Sequence, residues 1–128
     1  RALRFADELV IAVGINENKK TMFDVDERLS AIKEYYKANP KVKVIGYDSF
    51  TSDAVRSEGA DAILRGVRSV ADYEYERNMA DINATLENVE TIFLCSSPTV
   101  QHISSSLIRE MINFGRPIDG LVIDTFNI

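Results

Sequence analysis

Four short apolar runs, each followed by a polar loop and then by a segment of helical periodicity, set the fold of this chain. Glu8 to Ile15 is an almost unbroken apolar stretch and predicts a strand buried on both faces, as in a parallel sheet. Asn16 to Thr21 is a polar loop at its carboxyl end. Asp24 then predicts a helix cap, with Glu27 three residues on completing a capping box, and Val25, Leu29, Ile32 and Tyr36 form one apolar stripe. That helix is expected to stop near Asn39-Pro40. Val42 to Tyr47 reads as the second strand and Thr51 to Glu58 as a short helix closed by Gly59. Ala62 to Leu64 is the third strand. Asp72 to Leu86 reads as a helix whose apolar side holds Tyr73, Met79, Ile82 and Leu86, and Thr91 to Cys95 as the fourth strand. A loop over Ser96–His102 holds Pro98. Ser104-Ser105-Ser106 opens a last helix with Leu107, Ile108, Met111 and Ile112 on its apolar face, ended by Gly115 and Pro117.

The order βαβαβαβα over short loops implies an α/β fold, a Rossmann-like parallel sheet flanked by helices on both faces. Its 128 residues make one domain, 1–128, with 45% apolar residues to fill a core. In such sheets ligands bind beyond the carboxyl ends of the strands. That edge gathers Asn16 to Lys20, Asp48 to Thr51, Arg65 to Arg68, and Ser96 to Ser106.

The sharpest of these is Leu64-Arg65-Gly66-Val67-Arg68, followed by Asp72-Tyr73-Glu74-Tyr75-Glu76. The expectation is a buried strand, a tight basic turn at Gly66 and a helix. Two guanidiniums there suit a polyanionic ligand; alternatively both pair with local acids such as Asp72 and Glu74. The net charge of −5 argues against general nucleic-acid binding, so positive charge collected on one edge points to a phosphate-rich small molecule. Three serine hydroxyls at a helix start exceed what an N-cap needs, although the cap alone is the plainer account. Lys19 and Lys20 read by themselves as a solvated loop. Glu76 faces solvent, pairs with an arginine, or contacts a ligand. His102, the only histidine, is expected to line the site in its loop rather than act as an acid or base. Cys95 reads as a small core residue; a single cysteine excludes an intrachain disulfide and fits a reducing, cytoplasmic setting. No apolar run approaches the ~20 residues of a membrane span. No metal-ligand cluster, HExxH, CxxC, GxSxG or Walker-type loop is present.

These residues resemble the bacterial phosphopantetheine adenylyltransferases, of the nucleotidyltransferase superfamily. The resemblance runs from Arg1 to Val122. It is carried by Arg65-Gly66-Val67-Arg68 with Asp72 to Glu76, by Ile103-Ser104-Ser105-Ser106, and by Lys19-Lys20-Thr21-Met22-Phe23 with Glu27-Arg28. It implies adenylyl transfer from ATP, used with Mg2+, to 4′-phosphopantetheine, giving dephospho-CoA and pyrophosphate, with CoA as a feedback ligand and a homohexameric assembly. By position, Lys19 and Arg65 hold the acceptor phosphate, and Lys19 and Arg68 serve the transition state. Thr51 meets the pantetheine arm. Gly66, Val67, Arg68 and Glu76 lie on the adenosine side. Val100, Gln101, His102, Ile103, Ser104, Ser105 and Ser106 form the loop and helix start over ATP.

The family's amino-terminal strand and its Gly-x-Phe-Asp-Pro-x-x-x-Gly-His segment do not occur in the 128 residues. Arg1 to Ala6 reads as the end of a helix that follows that segment, so a preceding stretch is expected in the natural protein. Two other functions remain open on the sequence: a sister nucleotidyltransferase with another phosphate acceptor, and a non-catalytic nucleotide- or CoA-binding module.

Overall fold

The computed structural model describes residues 1–15 and 21–126. Its elements run, after a short 3-10 turn at Ala2–Arg4, as β1 (Leu9–Gly14), α1 (Val25–Tyr36), β2 (Val42–Tyr47), α2 (Thr51–Glu58), β3 (Ala62–Val67), α3 (Val70–Glu87), β4 (Glu90–Cys95), a 3-10 turn at Pro98–Val100, and α4 (Ser105–Asn113). The predicted alternation of strand and helix is therefore present throughout, and the fold class is α/β with parallel strands.

The strands form two parallel pairs. β1 runs beside β2, from Leu9 opposite Val42 to Gly14 opposite Tyr47. β3 runs beside β4, from Ala62 opposite Glu90 to Val67 opposite Cys95. The chain accordingly divides into two compact units, one of Arg1–Asp48 with Ser104–Ile128 and one of Ser49–Ile103.

In the first unit α1 begins with the expected reciprocal cap. The Glu27 amide donates to Asp24 Oδ1 at 2.8 Å, and the Asp24 amide donates to Glu27 Oε2 at 2.8 Å. The helix lies over β2 through Leu29, whose Cδ1 would sit 3.1 Å from a Cβ at Gly46, so the absent side chain admits the helix. Ala2, Ala31 and Ile108 are the buried apolar residues of this unit. α1 ends at Tyr36, three residues earlier than the Asn39-Pro40 signal.

In the second unit α2 closes at Gly59 in the left-handed region, φ 64°, as the sequence predicts. Ala54, Ile63, Val67, Val89 and Ser52 are buried. Three expectations change here. The tight basic turn does not form: Arg65 and Gly66 continue β3, opposite Phe93 and Leu94, and Gly66 is not among the positive-φ residues. β1 of the first unit is half-covered rather than buried on both faces, with no fully buried residue from Leu9 to Gly14. Cys95 is exposed at the end of β4 instead of lying in the core.

α3 uses only part of its apolar pattern, Tyr73 packing edge-on against Phe93 of β4 with ring centroids 5.3 Å apart. It has no fully buried residue, and Tyr73, Met79, Ile82 and Leu86 are exposed. Its less exposed positions are Asp72, Glu76, Ala80, Asn83 and Glu87. Three of these are carboxylates and each meets an arginine: Asp72 meets Arg68, Glu76 meets Arg65, and Glu87 meets Arg56. Pairing of partly buried charges fixes which side of the helix turns inward.

Candidate functional site

The second unit contains most of the predicted site. Arg65, near the end of β3, donates from Nε to Glu76 Oε2 at 2.7 Å; the side chains are 44% and 19% exposed. The guanidinium is thus anchored through Nε, and its two terminal nitrogens have no partner among the described residues. A bidentate fork is left open, which suits a phosphate or carboxylate.

Behind it lies a small cleft of about 20 Å³ lined by Thr51, Ile63, Arg65, Glu76, Met79, Ala80, Asn83 and Thr91. Its volume is of the order that admits one water. Thr91 Oγ1 is buried and has no hydrogen-bond partner among the described residues. Thr51, the first residue of α2, thus lines the same cleft as Arg65. Nothing in the sequence distinguished Asn83 and Thr91, which read there as ordinary helix and strand residues.

Arg68 sits one residue past β3 and is held more completely. Nε donates to Asp72 Oδ2 at 2.8 Å, Nη2 to Asp72 Oδ1 at 3.3 Å, and Nη1 to the Ile103 carbonyl at 3.1 Å. Its amide also donates to Asp72 Oδ2 at 3.2 Å, and Gln101 Nε2 donates to its carbonyl at 2.6 Å. The hydrogen bonds from Arg68 hold the Asp72 carboxyl below its ordinary value of 3.8, against the opposing effect of partial desolvation. The local-acid alternative is therefore right for Arg68 and Asp72. For Arg65 the partner is Glu76 and not Glu74.

Gly66 and Val67 separate the two arginines. Val67 is buried, while a Cβ at Gly66 would meet nothing within 4 Å. The Ser96–Ile103 segment is tied to β3 by the Ser96 amide, donating to the Val67 carbonyl at 2.9 Å, and by Arg68 and Gln101. Val100 and His102 are exposed on it.

Ser104, Ser105 and Ser106 belong to the first unit. Ser104 is the N-cap of α4, its hydroxyl accepting from the Leu107 amide at 3.1 Å. Ser106 Oγ accepts from Arg109 Nη2 at 3.1 Å, and Ser105 is exposed. One of the three hydroxyls is consumed by capping. Lys19 and Lys20 lie outside the described residues.

A larger cleft of about 460 Å³ opens elsewhere in the first unit, lined by Phe23, Asp24, Asp26, Glu27, Ser30, Ala31, Glu34, Thr125 and Phe126. Four of these nine are carboxylates, so it repels the polyphosphate that the arginines would attract.

A strand end presenting an arginine pair, within an α/β unit of parallel strands, is consistent with a nucleotidyltransferase type of domain. The cytidylyltransferase-like family model matches residues 1–111. Among curated proteins, the phosphopantetheine adenylyltransferase of Porphyromonas gingivalis is 45% identical over 129 residues, covering 97% of this chain and 84% of that protein. The enzyme of that name from Bacteroides thetaiotaomicron is 43% identical over 95% of this chain and 81% of its own length. That from Flavobacterium johnsoniae is 40% identical over 100% and 84%. The chain belongs to the phosphopantetheine adenylyltransferase family.

Proposed function

We propose that this chain, as one nucleotidyltransferase domain, transfers the adenylyl group of ATP to 4′-phosphopantetheine in coenzyme A biosynthesis, giving dephospho-CoA and pyrophosphate. The observation that carries this is 45% identity over nearly the whole chain to a protein of that name, most of whose length is matched.

In the reaction a phosphate oxygen of the acceptor forms a bond to the α-phosphorus of ATP. The bond from that phosphorus to the β-phosphate oxygen breaks, and pyrophosphate leaves with the electron pair. No covalent enzyme intermediate is required, so the side chains act by positioning and by stabilising charge. Arg65 serves the acceptor phosphate through the open fork that its Nε pair with Glu76 leaves. Lys19 is assigned to the same phosphate and, with Arg68, to the transition state. Thr51 lines the pantetheine side. Gly66, Val67, Arg68 and the segment Val100, Gln101, His102, Ile103, Ser104, Ser105 and Ser106 serve ATP. Glu76, assigned to the adenosine side by resemblance, supports Arg65 by its geometry.

Mg2+ is proposed to enter with ATP, on its phosphate oxygens and water, where it offsets phosphate charge. Among the described residues no group of three His, Cys, Asp or Glu side chains is placed to hold a metal ion. CoA is a feedback ligand in this reading, the compartment is the cytoplasm, and the assembly is a homohexamer. Among the described residues no helix is long and apolar enough to cross a membrane. The outward stripe Tyr75, Met79, Ile82 and Leu86 supports self-association, since exposed apolar stripes mark contact surfaces.

The test is pyrophosphate release from ATP and Mg2+ by the protein as its gene encodes it, with and without 4′-phosphopantetheine. Release that requires the acceptor is expected. ATP binding without release would move the reading to a binding module, and release with a different phosphate acceptor to a sister enzyme.

A further inference from the structure

Arg68 is the most completely held side chain of the site, and one residue, Asp72, does most of the holding. Both carboxylate oxygens are engaged: Oδ2 accepts from the Arg68 amide and from Nε, and Oδ1 accepts from Nη2. Main chain and guanidinium of the same residue are thus fixed by a single carboxylate four positions along α3. The Ile103 carbonyl takes one hydrogen of Nη1. A guanidinium has five N–H donors. The contacts at Nε, Nη1 and Nη2 use one on each nitrogen and leave one hydrogen on each terminal nitrogen without a partner among the described residues. Arg68 is presented in one orientation, with two donors remaining.

The same sequence position serves a different purpose in an ordinary helix start. With Ser69 as N-cap, Asp72 occupies the third helical position, where an acid commonly reaches back to the N-cap amide. Here it passes over that amide and engages the residue before the cap. Nothing in helix formation requires this choice, because the Ser69 hydroxyl alone already accepts from the Asp72 amide at 3.1 Å.

We propose that Asp72 is a positioning residue, which holds the Arg68 guanidinium in the orientation that meets the nucleotide phosphates. The inference rests on the reading of Arg68 as an ATP-binding residue. Asp72 itself touches no substrate in it; an acid directed at the triphosphate would repel it. The carboxylate instead fixes an otherwise freely rotating cation before ATP arrives, at the cost of part of its charge.

The experiment uses the protein as its gene encodes it and compares Asp72→Ala, Asp72→Asn, Arg68→Ala and the double variant Arg68→Ala/Asp72→Ala. ATP binding in Mg2+ is measured by titration calorimetry, and 4′-phosphopantetheine binding in parallel. Asp72→Ala is expected to weaken ATP about tenfold, the scale of a lost hydrogen bond to a charged group, and Asp72→Asn to fall between it and wild type. The acceptor's affinity is expected to change less than about twofold. The double variant should bind ATP like Arg68→Ala alone, since Asp72 acts only through Arg68. A third measurement needs no ligand: the Arg68 Nε–H resonance, sharp and slow to exchange in wild type, should be lost in Asp72→Ala. If the alanine variant does not fold, the near-isosteric Asp72→Asn is read by the same criteria. ATP affinity unchanged in Asp72→Ala, losses that add in the double variant, or an Nε–H resonance that survives would each overturn the proposal. Failure of acceptor-dependent pyrophosphate release in wild type would instead remove the enzymatic reading, while ATP titration and the Arg68 resonance still decide the role of Asp72.

Discussion

α1 and α3 begin with the same kind of signal and put it to different use. Both have an oxygen-bearing N-cap, Asp24 and Ser69, and both have an acid at the third helical position, Glu27 and Asp72. At α1 the two acids satisfy each other's backbone amides at 2.8 Å. The box is closed, and what it provides is helix stability. At α3 the cap hydroxyl satisfies the Asp72 amide alone, and the carboxylate turns to Arg68. One turn further on, Glu76 does the same for Arg65. The first start is spent on the helix; the second holds two cations, Arg65 through Nε and Arg68 through all three guanidinium nitrogens. Where the acid at a helix start goes is not revealed by the pattern of residue types.

The largest test of this contrast is Arg65→Ala. It removes the open fork and leaves Glu76, 19% exposed, without its cation. Affinity for 4′-phosphopantetheine is expected to fall about 10- to 100-fold, the scale of charge-assisted hydrogen bonds to a phosphate. The melting temperature should move little, because the pair is partly solvated. Titration calorimetry beside a thermal scan separates the two. Equal loss of stability with binding intact would place Arg65 among structural ion pairs such as that of Arg56 with Glu87.

A smaller effect comes from removing the caps themselves. Asp24→Ala is expected to cost about 1 kcal/mol of stability, the usual scale for an N-cap, with both substrate affinities unchanged. Ser69→Ala should cost a similar ~1 kcal/mol and also weaken ATP severalfold, because it loosens the turn that carries Asp72. Denaturant unfolding with ATP titration checks both. If the two variants behave alike in binding, the distinction between the helix starts fails.

The order of elements was legible because apolar runs and capping signals are local. Asp24 with Glu27 and Gly59 sit where the sequence placed them. How α3 uses its faces was not legible. Its apolar residues mark one face, yet Ile82 and Leu86 are exposed while Asp72, Glu76 and Glu87 reach arginines 4 to 31 positions away. Periodicity tells which residues share a face; it does not tell which face is covered when the other carries partners for charge. Gly66 misled for a related reason. Glycine commonly marks a turn, but here it continues β3, with nothing among the described residues within 4 Å of where its Cβ would stand. Cys95 was assigned to the core and β1 to a strand buried on both faces, because apolar residue type is legible and cover is not; Cys95 is exposed and β1 is half-covered. The sequence offered Asp72 and Glu74 as local partners of the two arginines; the structure pairs Asp72 with Arg68 and gives Arg65 to Glu76.

The smallest expected effect is the pH dependence of the Arg68–Asp72 pair. Hydrogen bonds from the Arg68 side chain lower the Asp72 pKa below 3.8, with desolvation working the other way. A carboxyl whose folded value is depressed stabilises the fold at pH above its unfolded value and loses that contribution as pH falls through the folded one. The pair's contribution is therefore expected in full at neutral pH and lost only below 3.8. Both side chains are partly exposed, 39% and 30%, so the effect is screened and small. The measurement is the difference in melting temperature between wild type and Asp72→Asn as a function of pH. It should be flat through the neutral range, shrink in acid below the ordinary carboxylate value, and diminish in high salt. A difference that stays constant into strong acid would mean the Asp72 carboxylate stabilises the turn through packing and not through charge, and the start of α3 would then resemble that of α1.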